Sequence, residues 1–386
     1  MTALLSGVRV LELSRILAGP WAGQVLADMG AEVIKVENPE GGDDTRTWGP
    51  PFVTDAEGNP IKDLSAYFLC TNRGKKSVRI DFTQPEGQEL VRKLATQSDV
   101  VIENFKVGGL VKYGLDYASL KAVNPKLVYA SITGFGQTGP YAHRAGYDFM
   151  IQGLGGLMSL TGQPDGEPVK VGVALTDVLT GLYTAIGVLS ALHHARQTGE
   201  GHHVDVALLD VQVATLANQA LNYLVAGKAP KRLGNSHPNI VPYQAFPTAD
   251  GHIILAVGND GQFARFAELA GHGEWAADER FATNPARVAN RAILVPMVAE
   301  ALASKSSRDW LKALETVGVP AGPINDIAEV FADPQVVFRG LKVEKTMADG
   351  TSLPGVGCPI VVDGERMIAD TAPPRLGSSD ELLKQV

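Results

Sequence analysis

Asp177 lies in Ala174-Leu175-Thr176-Asp177-Val178-Leu179-Thr180-Gly181, at the head of an otherwise apolar helical run. Amide dipoles at a helix start stabilise an ionised carboxylate, and two roles are open to this one: a helix cap or a carboxylate that performs covalent chemistry. The segment leading to it is rich in glycine, with Gly134-Phe135-Gly136-Gln137-Thr138-Gly139-Pro140, then Arg144-Ala145-Gly146-Tyr147-Asp148, then Gly153 to Gly156. Other candidate chemistries find less support. His193-His194 and His202-His203 have no HExxH pattern or spaced carboxylate partner, so they read as histidines near a helix end and no metal site is expected. No GxSxG elbow occurs. Glu37 invites a dinucleotide reading, but Ser14-Arg15-Ile16-Leu17-Ala18-Gly19-Pro20 holds one glycine where the fingerprint needs three.

The elements that must position Asp177 alternate between strand and helix. Apolar runs predict strands at Val8–Leu13, Ala31–Glu37, Ser77–Phe82, Val100–Glu103, Leu127–Ile132 and His203–Leu208. Helices are expected at Gly19–Met29, at Thr176–Arg196 and at Asp210–Ala226, with a further one capped by Thr83 and carrying Pro85 in its first turn. This alternation predicts a Rossmann-like, doubly wound α/β domain over residues 1–227. After Gly227 the chain turns polar and then forms hairpin and helix signals, so a small α+β domain with its linkers is expected over 228–325. The tail, 326–386, carries a hairpin around Ala348-Asp349-Gly350 and is expected to complete the first domain.

Composition narrows the class. The 386 residues carry 34 Lys plus Arg against 42 Asp plus Glu, a net charge of −8, with no basic block, so a nucleic-acid partner is not expected. Hydrophobic content of 45% fits an ordered globular protein. Two cysteines, Cys70 and Cys358, cannot make a disulfide framework. The start fits no signal peptide. The longest uncharged helical candidate, Val178–Leu192, is shorter than the roughly 18 apolar residues of a membrane span. A soluble, cytoplasmic protein without a membrane partner is expected.

Several dispersed motifs in the same order resemble the family III CoA-transferases over nearly the whole chain. They are Leu5-Ser6-Gly7-Val8-Arg9-Val10-Leu11-Glu12-Leu13, Gly30-Ala31-Glu32-Val33-Ile34-Lys35-Val36-Glu37, Gly42-Asp43-Asp44-Thr45-Arg46, Asn72-Arg73-Gly74-Lys75-Lys76-Ser77, Val101-Ile102-Glu103-Asn104-Phe105 and Ser131-Ile132-Thr133-Gly134-Phe135-Gly136. Thr45-Arg46-Thr47-Trp48-Gly49-Pro50-Pro51-Phe52 and Ile240-Val241-Pro242-Tyr243-Gln244-Ala245-Phe246 are most similar to the succinyl-CoA:glutarate branch.

The resemblance implies that Asp177 is the catalytic nucleophile, passing through a mixed anhydride and an aspartyl-CoA thioester, with acyl-CoA and a small carboxylic acid as substrates and no resident cofactor. It implies CoA contacts at Ile16, Leu17, Ala18, Asn104 and Phe105, with Arg73, Lys75 and Lys76 near the phosphates. Tyr147, Asp148, Gly258 and Asn259 would line or cover the substrate pocket. Arg46 is expected to hold the free carboxylate of a dicarboxylate acid. The alternative within the same fold is an α-methylacyl-CoA racemase, whose histidine falls where this sequence has Tyr147, a weak base at pKa about 10. The family further implies a homodimer of two interlocked rings.

Overall fold

The computed structural model describes residues 3–385 except 56 and 348. Ala348, in the expected tail hairpin, lies outside the described residues. The chain divides into two units, one made of Met1–Leu157, Val171–Leu221 and Pro334–Val386, the other of Met158–Lys170 and Asn222–Asp333.

The first unit is built on six parallel strands: β1 (Arg9–Glu12), β2 (Glu32–Glu37), β3 (Lys75–Arg79), β4 (Val100–Glu103), β5 (Val128–Thr133) and β6 (His203–Ala207). Their order across the sheet is 3-2-1-4-5-6, the dinucleotide-fold order, with its switch point between β1 and β4. Strands buried on both faces of such a sheet read as continuous apolar runs. Val100, Val101 and Ile102 and the β5 residues Val128 and Ala130 are accordingly inaccessible to solvent. Helix α1 (Ala18–Asp28) covers one face through Ala22 and Leu26. A later helix, α2 (Leu175–Thr198), packs against it, so closely that a Cβ at Gly181 would sit 2.6 Å from the Ala18 carbonyl oxygen. Gly199, at φ 80°, ends α2 in the left-handed conformation that glycine adopts without strain.

Three elements depart from the expected pattern. Helix α2 has 24 residues and is, by length and composition alone, apolar enough to cross a membrane. It covers the helix expected over Thr176–Arg196 and outruns the uncharged stretch Val178–Leu192 at both ends, taking in Asp177 and Arg196. The helix expected over Asp210–Ala226 is two, Leu208–Ala214 and Ala217–Ala226, broken where Ala217 takes a positive φ of 47°. The helix at Pro85–Thr96 has Gln84 at its N-cap, while Thr83 bonds Asp81 instead.

The second unit carries an antiparallel sheet of Tyr243–Pro247, His252–Ala256 and Ala321–Pro323. Helices cover it around Phe246, Ile253, Phe263, Phe266 and Trp310, all buried. Residues 334–385 return to the first unit. There Asp380 pairs with Arg79, and the Ala369 N–H donates to Asp28.

Beneath the carboxyl ends of the central strands lies a buried set of charges. Lys35, in the middle of the apolar β2 run, is inaccessible and pairs with Glu12 at 3.0 Å and Asp43 at 2.9 Å. Lys75 pairs with Glu12 and donates to the Pro20 carbonyl and to Asn72. Arg73 makes a two-pronged pair with Asp28 and bonds the Val356 carbonyl.

Arg46 was expected to bind substrate. It is instead fully buried, with two nitrogens on Glu37 at 2.8 and 2.7 Å, bonds to the carbonyls of Pro374 and Asp63, and its guanidinium stacked 3.9 Å from the Phe68 ring. Four of its five N–H groups are hydrogen-bonded inside the protein, so its role is structural. Removing one partner of a buried pair leaves the other charge uncompensated and costs about 3–5 kcal/mol. Arg46→Met is therefore expected to lower the unfolding free energy by that order, read as a lower urea midpoint, without a selective change in the KM of either substrate. An unchanged midpoint with a raised KM for the acid alone would return Arg46 to the substrate.

Candidate active site

A cavity of about 920 Å³ opens at the carboxyl ends of the parallel strands, where open α/β sheets bind ligands. It is lined by the turns that follow β1, β2, β3, β4 and β5, by residues 142 and 144–147, and by Asp177 in the first turn of α2. Ile16, Leu17, Ala18, Asn104, Phe105 and Tyr147 all line it. Arg46, Arg73, Lys75, Lys76 and Asp148 do not. Arg73 and Lys75 belong to the buried charge set, and Lys76 pairs at the surface with Glu32. The cations that line the cavity are Arg15, Lys35, Lys106, Lys112 and Arg144.

The turn after β1 is held from three sides. The Lys35 ammonium donates to the Ser14 carbonyl at 2.8 Å. Asn104 clamps Arg15 reciprocally, accepting from its N–H at 2.9 Å and donating to its carbonyl at 2.7 Å. The Asp43 carboxylate accepts from the Ile16 N–H at 3.2 Å. Ile16 takes φ 72°, an outlier for a β-branched residue that costs of the order of 1–3 kcal/mol unless its surroundings enforce it. Burial opposes ionisation of Asp43, but Lys35 and two bonds from Thr45 hold its carboxyl at about 2. Burial would likewise lower the Lys35 pKa, and Asp43 and Glu12 carry it well above the ordinary value instead. Both groups therefore stay charged at neutral pH and fix the turn. Sequence reasoning gave neither residue a role. A lysine inside a buried β run was the available signal.

Asp177 has the opposite environment. It is partly buried, and among the described residues no cation pairs with it. Burial first, and the neighbouring Asp148 second, push its carboxyl up to about 7. The expectation that helix dipoles favour its ionised form is thus overturned by desolvation and a like charge. Asp177 is also not the helix cap, since Ala174 holds that position. Asp148 takes over the capping, accepting the N–H of Thr176 at 2.8 Å and of Asp177 at 3.2 Å through one oxygen, while Gln152 donates to the other at 2.6 Å. Asp148 is therefore a positioning residue and not a wall of the pocket. Tyr147 beside it is 68% exposed and faces the cavity. Tyr67, unanticipated from sequence, keeps its phenolic proton, because burial and then the field of Asp177 push its pKa up to about 12.

Gly258 and Asn259 belong to the second unit. Asn259 caps the helix Asp260–Leu269 there by accepting the Gln262 N–H at 2.9 Å, and the Gly258 N–H donates to the Gln262 side chain. His194 and His202 bond each other at 2.7 Å, and His203 bonds Ser131. No cluster of metal-ligating side chains occurs among the described residues.

Comparison with known proteins accords with this geometry. The model of CoA-transferase family III matches residues 5–380. The chain is 58% identical to the succinate–glutarate CoA-transferase of Agrobacterium fabrum, over 97% of this chain and 93% of that one. It is 42% identical to the succinyl-CoA:glutarate CoA-transferase of Homo sapiens, over 99% of this chain and 86% of the relative. The crystal structure of a CAIB/BAIF family protein from Brucella suis superposes with a TM-score of 0.86 at 56% identity, covering 99% and 98% of the two chains. A parallel sheet with a cavity at its carboxyl ends, a carboxylate facing that cavity and a family match spanning nearly every residue agree, and the chain belongs to CoA-transferase family III.

Proposed function

We propose that this CoA-transferase moves CoA from succinyl-CoA to a dicarboxylate such as glutarate, with Asp177 as the covalent nucleophile. One observation carries the mechanism: the described cavity lining contains no serine, cysteine or histidine, and of its six acids, Glu37, Glu40, Asp43, Asp44, Asp81 and Asp177, Asp177 is the one raised, to about 7. Glu37, Asp43 and Asp44 are held by Arg46, Lys35 and Arg15. The names of the Agrobacterium and human relatives support the pair of acids.

In the first step an Asp177 oxygen attacks the thioester carbonyl, and the C–S bond breaks to give a mixed anhydride and CoA thiolate. The thiolate then attacks the aspartyl carbonyl, forming an aspartyl-CoA thioester and releasing the donor acid. The acceptor acid attacks that thioester and the two steps run in reverse. One thioester replaces another, so the energy of the bond is conserved and no resident cofactor is called for. Racemisation would require a base across the substrate α-carbon, and no histidine lines the described cavity.

The reading includes a cytoplasmic homodimer with linked-ring chains. Leu182, Tyr183 and Ile186 on α2, and Phe149, Met150 and Leu154 on the helix Asp148–Leu154, are exposed apolar residues that a partner chain would cover.

Three measurements test these claims. Asp177→Asn should keep the fold and lose transfer by roughly a thousandfold or more; full activity would remove Asp177 from the chemistry. Because the carboxylate is the attacking form, kcat/KM for acyl-CoA should rise with pH through a limb near 7. Asp148→Asn removes the like charge and should move that limb to lower pH, with burial still keeping it above the ordinary aspartate range; an unmoved limb would contradict the coupling. Sedimentation should give about twice the 40.9 kDa chain mass across dilution, against which a stable, active monomer would count.

A further inference from the structure

Building on the dicarboxylate reading, we propose that Arg144 binds the distal carboxylate of the acid substrate and thereby sets the preference for dicarboxylates. A four- or five-carbon diacid brings a second charge into the site beside the reacting one, and a guanidinium fork is its strongest match. Four arginines are candidates, Arg46, Arg73, Arg144 and Arg232, and three are otherwise engaged. Arg46 and Arg73 are buried in two-pronged pairs with Glu37 and Asp28. Arg232, in the second unit, donates to the carbonyls of Gln163 and Gly166 in that same unit. Arg144 lines the cavity together with Asp177, is exposed to it, and pairs with no carboxylate among the described residues.

Its position is fixed without an anion. The guanidinium lies 5.2 Å from the Phe135 ring and 4.6 Å from the Tyr141 ring, contacts that hold a cation over aromatic faces while leaving its N–H groups available. The loop that carries it crosses Gly134 at Gly146 so closely that a Cβ on either glycine would lie within 2.6 Å of the other's Cα. Four residues after Arg144 comes Asp148, whose carboxylate bonds the Asp177 amide, so at most about 14 Å of chain separates Arg144 from that anchor. Arg144 and Asp177 therefore line one cavity and belong to one loop-and-helix assembly.

Two other cations of the cavity, Arg15 and Lys112, form a separate group. Arg15 contacts Phe105, Phe105 contacts Phe82, Phe82 contacts Tyr113, and Lys112 lies over Tyr113. That run of cations and rings suits the phosphates and base of the nucleotide. Of the two arginines that line the cavity, Arg15 pairs with Asp44, and Arg144 is left for the acid.

The test compares glutarate with pentanoate, which has the same length and one carboxylate, for wild type, Arg144→Gln and Arg144→Lys, with free CoA as an inhibitor to monitor the nucleotide side. Wild type should favour glutarate. Arg144→Gln should lose roughly tenfold to a hundredfold in kcat/KM for glutarate and for succinyl-CoA alike, leave pentanoate and the inhibition constant of CoA unchanged, and melt at the wild-type temperature; Arg144→Lys should recover part of the loss. A glutarate-selective wild type with an equally selective Arg144→Gln overturns this assignment alone. Parallel weakening of CoA inhibition overturns it in favour of a phosphate contact. A wild type that uses pentanoate as well as glutarate overturns the dicarboxylate reading, and this assignment with it.

Discussion

Lys35 is a charge in the middle of a parallel sheet, and the cavity floor is organised around it. Its ammonium joins Glu12 of β1, Asp43 of the segment after β2, and the Ser14 carbonyl of the turn that leads into α1. Buried ion pairs of this kind add little net stability, since desolvation offsets much of their attraction, but they tolerate few alternative geometries. Here the geometry they impose is a left-handed Ile16 at the cavity edge, a conformation this residue type does not adopt unaided. Asn104, from the far side of the switch point, completes the clamp on Arg15. The turn is thus preorganised by side chains already in place, which leaves little ordering to be done when a ligand arrives.

The contrast with Asp177 follows from the same electrostatics. Glu37 and Asp43 have cations and stay ionised, whereas Asp177 has a second carboxylate at hand and no cation. Its pKa near 7 makes it a stronger base than an ordinary aspartate and therefore a better nucleophile when ionised, while still ionised in useful proportion at neutral pH. Asp148 links the two aspects of the site. The carboxylate that caps α2, and so fixes where Asp177 points, is also the charge that raises its pKa. Capping and tuning cannot be altered independently.

Strands and layer order were legible in the sequence because fully buried parallel strands are runs of Val, Ile and Ala, and such runs have few other uses. Each of the six main strands lies within a few residues of its apolar run. Asp177 was legible through its place before an apolar helix and through the motifs it shares with family III relatives. The roles of Arg46, Arg73 and Lys75 were not. A long charged side chain next to a motif reads as a ligand contact, and only the folded geometry reveals acids such as Glu37, Asp28 and Glu12 waiting for it inside. Asp148 was placed at the site for the right neighbourhood but the wrong contact, because sequence adjacency to Tyr147 says nothing of which backbone amides its carboxylate meets. The break at Ala217 carried no turn residue to announce it.

The central claim, covalent passage through Asp177, has a consequence in the fate of oxygen. When the donor acid leaves the mixed anhydride it takes an oxygen from Asp177, and when the acceptor enters it leaves one of its own behind. Single-turnover and steady-state reactions with an acceptor labelled in both carboxylate oxygens of the reacting group, followed by mass spectrometry of the Asp177 peptide and of the released acid, read this transfer directly. The account predicts heavy oxygen first in the Asp177 carboxyl and, after further turnovers, in the donor acid set free, while the acyl-CoA product keeps one labelled oxygen. Product formation with an unlabelled Asp177 and an unlabelled donor acid would contradict it.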